Sequence, residues 1–421
     1  MGNIAFFSIP LFGHINYGLK IAARLMKRGH SIYYYSGIAF KDYIEQKGVQ
    51  FCQYSDEIEQ LFSQGSTYNP QATKAIDNKK VDYYQEIYYL GIHLFTITDI
   101  FMKKDIKELE KKNLNAVVFD NIAIWGKLIA KKLGILSFAS GTPYCFNAKM
   151  IETYPEEFAK FILQEHDFSY DCVTPFIRIC NKKLWRMYPE LKEVSILDNY
   201  GGCGDFNFIY TSSRFQMHAD LIDQKKNRFT GILVDEDDIK EDIEVYIEKD
   251  KKNIYISFGT IYNSTVLYQV CINALKDMDV NVLLSIGKAN DASDFVSLPD
   301  NWHVRKNWPQ IKVLQNIDVF ISHGGNNSIR EAANFGVPTL IIPQTGDHYL
   351  TAEDIKKNNM GIVIEGDVHE DILKESVYKC LYDEAIKQNC MEVAKEMQQL
   401  GGLSQVVEDI ENYMERGGIY D

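Results

Sequence analysis

The chain has 421 residues, more than one hydrophobic core commonly serves, so two domains are expected. Apolar residues make up 46% and charged residues 24%, the balance of a globular protein, and the net charge of −13 argues against nucleic acid, which needs an extended basic face. The same acidity means that a phosphate-bearing ligand must be held by backbone amides and local dipoles against the overall field.

In chain order, Asn3–Ile9 (NIAFFSI) is a short apolar run closed by Pro10 and Gly13 and reads as a strand. Asn16–Arg28 follows with Leu19, Ile21, Ala22, Leu25 and Met26 on one helical stripe, and Gly29 suits the position after its end. Ser31–Ser36 (SIYYYS) is the next strand, so the chain opens as a strand–helix–strand unit of a parallel sheet. Residues 81–102 are aromatic, apolar and helix-like. Asn115–Asp120 (NAVVFD) reads as a strand, 123–134 as a helix and 135–140 (ILSFAS) as another strand. Residues 144–205 are irregular and helix-leaning, and Phe206–Ser212 adds a strand.

Residues 235–252 are almost all charged or polar and read as a solvated linker or surface helix near a domain boundary. The strand–helix rhythm then restarts. Asn253–Gly259 and Asn281–Gly287 read as strands flanking a helix near 265–277, and a short helix near Ile311–Gln315 precedes the strand Asp318–Ser322. The loop HGGNNSIREAANFG connects that strand to Val337–Pro343, and 389–415 has a helical pattern. The expectation is an α/β protein of two Rossmann-like halves with a cleft between them and ligands at the carboxyl ends of the strands.

Eight cysteines are scattered without a C-x-x-C pair or zinc spacing, as in a reduced cytosolic protein. No signal peptide is legible, and no apolar run reaches the roughly 18 residues of a membrane span. The expected location is the cytoplasm, with no stable membrane association.

Two places carry chemistry. In DVFISHGGNNSIREAANFGVP (318–338), Gly324 and Gly325 allow close backbone approach, and a helix start offers unpaired amides and the positive end of its dipole. His323, Asn327 and Ser328 add donors suited to a diphosphate, and Glu331, on the same side as Ser328, suits two ribose hydroxyls. The plainer alternative is that Asn327 or Ser328 caps the helix and the glycines make the turn. The second place is PLFGHINYG (10–18), where His14 follows a strand and precedes a helix, either as a general base or as a turn residue. Asp120, at the end of another strand, is its candidate partner, or else a strand-end or capping residue. A helix N-terminus is expected to keep His14 neutral. The D-x-D at Asp277–Asp279 falls at a helix end and reads as a solvated turn; no metal site is expected.

The chain resembles the nucleotide-sugar-dependent glycosyltransferases of the GT-B fold, of the bacterial macrolide and plant natural-product type. The resemblance is carried by Trp308-Pro309-Gln310, His323 to Ser328 with Glu331, Gly336-Val337-Pro338, Asp347-His348 with Thr351-Ala352, and the opening PLFGHINYGLKIAARLMKRGH. It implies two Rossmann-like domains facing each other across a cleft: 1–230 for the acceptor, a linker 231–252, 253–400 for the nucleotide sugar, and a C-terminal helix 401–421 returning to the first domain.

It further implies an inverting, metal-independent transfer of a hexose from a UDP-sugar to a small, largely apolar acceptor, with no cofactor. His14 would be the base and Asp120 its partner. Trp308 would stack near the uracil and Gln310 contact the nucleoside. Glu331 would hold the ribose; Thr260, His323, Gly325, Asn327 and Ser328 the diphosphate; Asp347 and His348 the sugar. His348 stands where the family usually has Gln, which keeps galactose open beside glucose. Asn16 stands where the opening usually has Pro and suits a helix cap. Tyr88, Tyr89, His93 and Phe95 are candidates for lining an apolar acceptor site. The alternatives are another GT-B enzyme, such as a UDP-sugar epimerase or a cell-wall glycosyltransferase, and a non-catalytic nucleotide-sugar binder. A nicotinamide oxidoreductase would need a G-x-G-x-x-G after the first strand, which is lacking.

Overall fold

A computed structural model describes residues 1–64, 96–141, 144–158, 170–192, 194–259, 265–287, 290–295, 298–344 and 346–417. The chain divides into two compact units, Met1–Leu233 with Gly401–Asp421, and Val234–Leu400.

The first unit is built on β1 (Asn3–Phe7), β2 (Ser31–Ser36), β3 (Gln50–Gln53), β4 (Ala116–Asp120), β5 (Leu136–Ser140), β6 (Phe206–Ile209) and β7 (Asn227–Phe229). All pair in parallel, in the order β3-β2-β1-β4-β5-β6-β7. β1 and β4 are apolar runs buried on both faces, as central parallel strands must be. They lie side by side with Phe7 opposite Phe119. The chain moves outward in one direction from β1 and in the other from β4, so the carboxyl ends of these two strands flank a topological switch point.

Helix α1 (Phe12–Lys27) covers this sheet with Ile15, Leu19, Ala22 and Leu25 buried. It starts at Phe12, four residues before the expected start. Asn16 is therefore not a cap; its Oδ1 accepts from the Tyr43 hydroxyl at 3.1 Å. Helix α2 (Trp125–Leu133) follows β4 and ends at Gly134 in the left-handed region.

The second unit holds β8 (Lys252–Ser257), β9 (Val280–Ser285), β10 (Trp302–Arg305), β11 (Val319–Ser322), β12 (Thr339–Ile341) and β13 (Gly361–Val363), parallel in the order β10-β9-β8-β11-β12-β13. Ser257 pairs with Ser322 at the ends of β8 and β11, which form the switch point of this sheet. Its core joins Ile254, Val282, Leu284, Ile321 and Leu340 to the helical residues Ile272 and Leu373. The helices beside the site are α3 (Gln310–Leu314), α4 (Asn326–Asn334) and α5 (Gly346–Lys357).

The charged stretch 235–252 is neither a free linker nor a surface α-helix. It forms two 3-10 turns, Glu236–Ile239 and Glu244–Tyr246, inside the second unit, with Ile243 fully buried between them. The helical pattern of 389–415 is broken into α6 (Glu384–Gln398) and α7 (Gly402–Glu415), because Gly401 and Gly402 both have positive φ. Leu403, Val406, Val407 and Ile410 of α7 are buried in the first unit's core. On the rim of that contact, Glu411 pairs with Arg28 and accepts from His30 Nε2 at 3.1 Å.

Candidate active site

In the first unit, β4 ends on Asp120, which is buried, and His14 is the third residue of α1. His14 is thus inside the first helical turn rather than in the loop before it. Its Nδ1 lies 3.0 Å from Asp120 Oδ1 and 2.9 Å from Oδ2. Asp120 Oδ1 also accepts from the Ile122 amide at 3.2 Å, an Asx-type turn that fixes the carboxylate. With Nδ1–H donated to Asp120, the neutral imidazole carries its lone pair on Nε2.

Burial by itself would lower the His14 pKa, but the charge and hydrogen bond of Asp120 outweigh it, and the pKa is raised above 6.5. The expected neutralising effect of the helix start is overruled by this closer partner. The floor of the site is a hydroxyl network. Ser8 Oγ lies 2.9 Å from Tyr34 Oη, and the Tyr54 hydroxyl donates to the Ser8 carbonyl at 2.9 Å.

In the second unit, α4 begins at Asn326 with Gly325 as its N-cap and no side-chain cap. The capping alternative for Asn327 and Ser328 therefore does not hold. The first intrahelical bond is Ile329 N–H to Gly325 O, so helix geometry leaves the amides of Asn326, Asn327 and Ser328 pointing out of the helix end. Ser328 and Glu331 share a face, and both accept from Gln310 Nε2, at 3.0 Å and 2.6 Å. Gln310 thus fixes the Glu331 carboxylate beside the helix start.

His323 follows β11 and is buried; its ring meets that of His348 edge-to-face at 4.4 Å. Burial first, then the neighbouring His348, pull its pKa down to about 3, and burial pulls His348 down to about 4. Both are neutral at physiological pH. His348 Nδ1 accepts from the Gln344 amide at 3.3 Å, which places its proton on Nε2.

Residues 269–413 match the family described as "Erythromycin biosynthesis protein CIII-like, C-terminal domain". The chain is similar along its length to "NDP-glycosyltransferase YjiC" of Bacillus subtilis (strain 168), 25% identical with 99% of this chain and 98% of the relative covered. It is also similar to "Oleandomycin glycosyltransferase" of Streptomyces antibioticus, 23% identical over 97% of this chain and 90% of the relative. Among solved structures, the calicheamicin glycosyltransferase CalG4 superposes with a TM-score of 0.78 at 19% identity, covering 99% of each chain. The chain has the GT-B fold, and its likeness along its whole length is to glycosyltransferases.

The remaining candidates divide in this glycosyltransferase. Thr260 and the acceptor candidates Tyr88, Tyr89, His93 and Phe95 lie outside the described residues. Asp347 is half-exposed at the start of α5, with its Oδ1 3.8 Å from His348 Nε2. Trp308 is 5% exposed, and its indole N–H donates to the Leu284 carbonyl at 3.1 Å.

Sequence reasoning passed over Arg330 and Asp354. They form a buried ion pair at 2.5 Å that ties α4 to α5. It also passed over the exact demands of the glycines. A Cβ on Gly259 or on Gly325 would lie 2.8 Å from the His323 ring, so that ring fits only between two glycines.

Asp279 of the D-x-D pairs with Lys251 at 2.8 Å. Among the described residues, no group of three or more His, Cys, Asp or Glu is placed to hold a metal ion. Among them too, no helix is long and apolar enough to cross a membrane. A cavity of about 1030 Å³ opens on the first unit where β5, β6 and β7 begin, beside Leu136, Asn207 and Asn227, at the edge opposite His14. Among the charges lining it, Lys127 pairs with Asp205 and Arg28 with Glu411.

Proposed function

We propose that this glycosyltransferase moves a hexose from a UDP-sugar to a hydroxyl of a small, largely apolar acceptor, inverting the anomeric centre without a metal ion or other cofactor. The observation that carries the proposal is the His14–Asp120 pair: Nδ1 is committed to a buried carboxylate, which leaves Nε2 as the proton acceptor. In the reaction, the acceptor O–H gives its proton to Nε2 as its oxygen attacks the anomeric carbon. The bond to the diphosphate breaks on the opposite face, and the imidazolium is stabilised by Asp120.

The leaving diphosphate is held by the amides and side chains at 325–328 and by His323, preorganised donors that need no cation. The Glu331 carboxylate, held in place by Gln310, binds the ribose hydroxyls. Asp347 binds hydroxyls of the sugar, and Thr260 completes the phosphate site. The names of relatives, among them "Uncharacterized UDP-glucosyltransferase YojK" and "Oleandomycin glycosyltransferase", support a nucleotide-sugar donor and a natural-product acceptor. Tyr88, Tyr89, His93 and Phe95 are proposed to line the acceptor site. We place the enzyme in the cytoplasm, where a reducing medium keeps thiols free, as the described cysteines are.

The test is incubation with UDP-glucose, UDP-galactose, UDP-N-acetylglucosamine and dTDP-glucose against phenols and macrolides, with and without a chelator, read by mass spectrometry. A glycosylated product that persists with the chelator is the expected result. Neither transfer nor donor hydrolysis with any donor would sink the reading.

A further inference from the structure

Trp308 is a support rather than a free surface. Besides its indole bond, its backbone N–H donates to Ser285 Oγ at 3.2 Å. Tyr246 meets its ring edge-on at 5.1 Å. The Arg305 guanidinium carbon lies 4.0 Å from the Trp308 ring centroid and 4.7 Å from that of Tyr246. Arg305 closes β10, which puts it at the carboxyl edge of the sheet, the edge at which such sheets bind ligands. Its Nη1 is tied to Glu241 at 2.5 Å, and the side chain remains 31% exposed. Over the Trp308 ring, the group that solvent meets is the guanidinium.

A nucleoside diphosphate with its phosphates at the start of α4 and its ribose at Glu331 reaches Gln310, which binds Glu331 directly. Two residues back along the chain stands Trp308, with Arg305 over it. The base end of the ligand therefore falls on residues 305–309.

We propose that Arg305 is the platform on which the nucleobase stacks, with Trp308 and Tyr246 as the bed that fixes the guanidinium; this rests on the donor-binding reading above. A guanidinium is planar, weakly hydrated and stacks on π-faces, whereas a lysine ammonium has the charge without the plane. Packing against two rings and the bond to Glu241 hold the plane before the ligand arrives, so little side-chain freedom is lost on binding.

The experiment is calorimetric titration of the full chain with UDP and, separately, with inorganic pyrophosphate. Arg305→Lys is expected to weaken UDP binding about tenfold and to leave pyrophosphate binding within about twofold of wild type. Pyrophosphate binding also shows that the variant is folded. Unchanged UDP affinity overturns the proposal, and so does an equal loss for both ligands, which marks a charge or folding effect. Trp308→Phe weakening UDP more than Arg305→Lys does returns the platform to Trp308 and overturns it as well. Wild-type protein that binds no UDP overturns the donor reading itself, and this proposal with it.

Discussion

The His14 imidazole meets the Asp120 carboxylate through Nδ1, at 3.0 Å, across 106 residues of sequence. Two strand ends that are neighbours in the sheet bring them together: Phe7 and Phe119 are register partners, Asp120 follows Phe119 as the last residue of β4, and His14 lies in the first turn of α1 after β1. His14→Ala is expected to lower kcat about 10²- to 10⁴-fold, the usual worth of a positioned general base. A loss below threefold to fivefold, on the order of ordinary repacking, would remove His14 from the base role.

The pH profile tests the partner. His14 must be unprotonated to act, and Asp120 raises its pKa above 6.5, so kcat/KM is expected to fall as pH drops through that raised value. Asp120→Asn removes the charge and leaves burial, which lowers the pKa; the acidic limb then moves to lower pH while the plateau rate falls. A limb that stays in place in Asp120→Asn would show that another group titrates. The same shift has a stability sign. A raised folded-state pKa contributes stability below about pH 6.5 that is lost as pH rises through the folded value.

His323 and His348 have the opposite sign. Their folded pKa values, about 3 and about 4, lie below the ordinary 6.5. The unfolded chain takes up protons first as pH falls, so stability present above about pH 6.5 is lost on acidification toward pH 4. His348→Gln should flatten this acid sensitivity, read as the difference in Tm between about pH 7.5 and about pH 5. An unchanged difference would mean that these rings do not control acid stability.

The fit of the His323 ring gives a steric test. Gly259 has φ +78° and would put a Cβ 2.8 Å from that ring, while Gly366 has φ +80° with nothing within 4 Å. Gly366→Ala carries only the backbone cost, about 1–2 kcal/mol. Gly259→Ala carries that cost and a further overpacking term of about 1–3 kcal/mol. Equal losses of stability by denaturant titration would refute the clash.

Breaking the Arg330–Asp354 pair is expected to be severe. Arg330 is fully buried, and removing its partner with Asp354→Leu strands a charge, at a cost of about 3–5 kcal/mol. Arg330→Met with Asp354→Leu should recover much of that loss, because two apolar side chains leave no stranded charge. A double variant as unstable as the sum of the singles would argue against coupling between them.

The interior strands β1, β2, β4, β5, β6, β8, β9, β11 and β12 are legible as apolar runs, because each is covered on both faces. The ones the sequence hid are β3, β7, β10 and β13, the edges of the two sheets. They are three or four residues long and mostly half-exposed, so no apolar run marks them. Missing β10 also hid the fact that Arg305 ends a strand.

Local chain chemistry announced the alternating architecture, the glycine-rich turn before α4, and the presence of a histidine near a helix start and an aspartate at a strand end, because period, turn residues and helix starts are properties of neighbouring residues. Packing across the fold set the rest. It raised the pKa of His14 through a carboxylate distant in sequence, neutralised His323 and His348 by burying them together, and turned Trp308 inward beneath Arg305. Those outcomes depend on desolvation and on charges brought close from elsewhere in the chain, and neither quantity has a value until the sheets have formed.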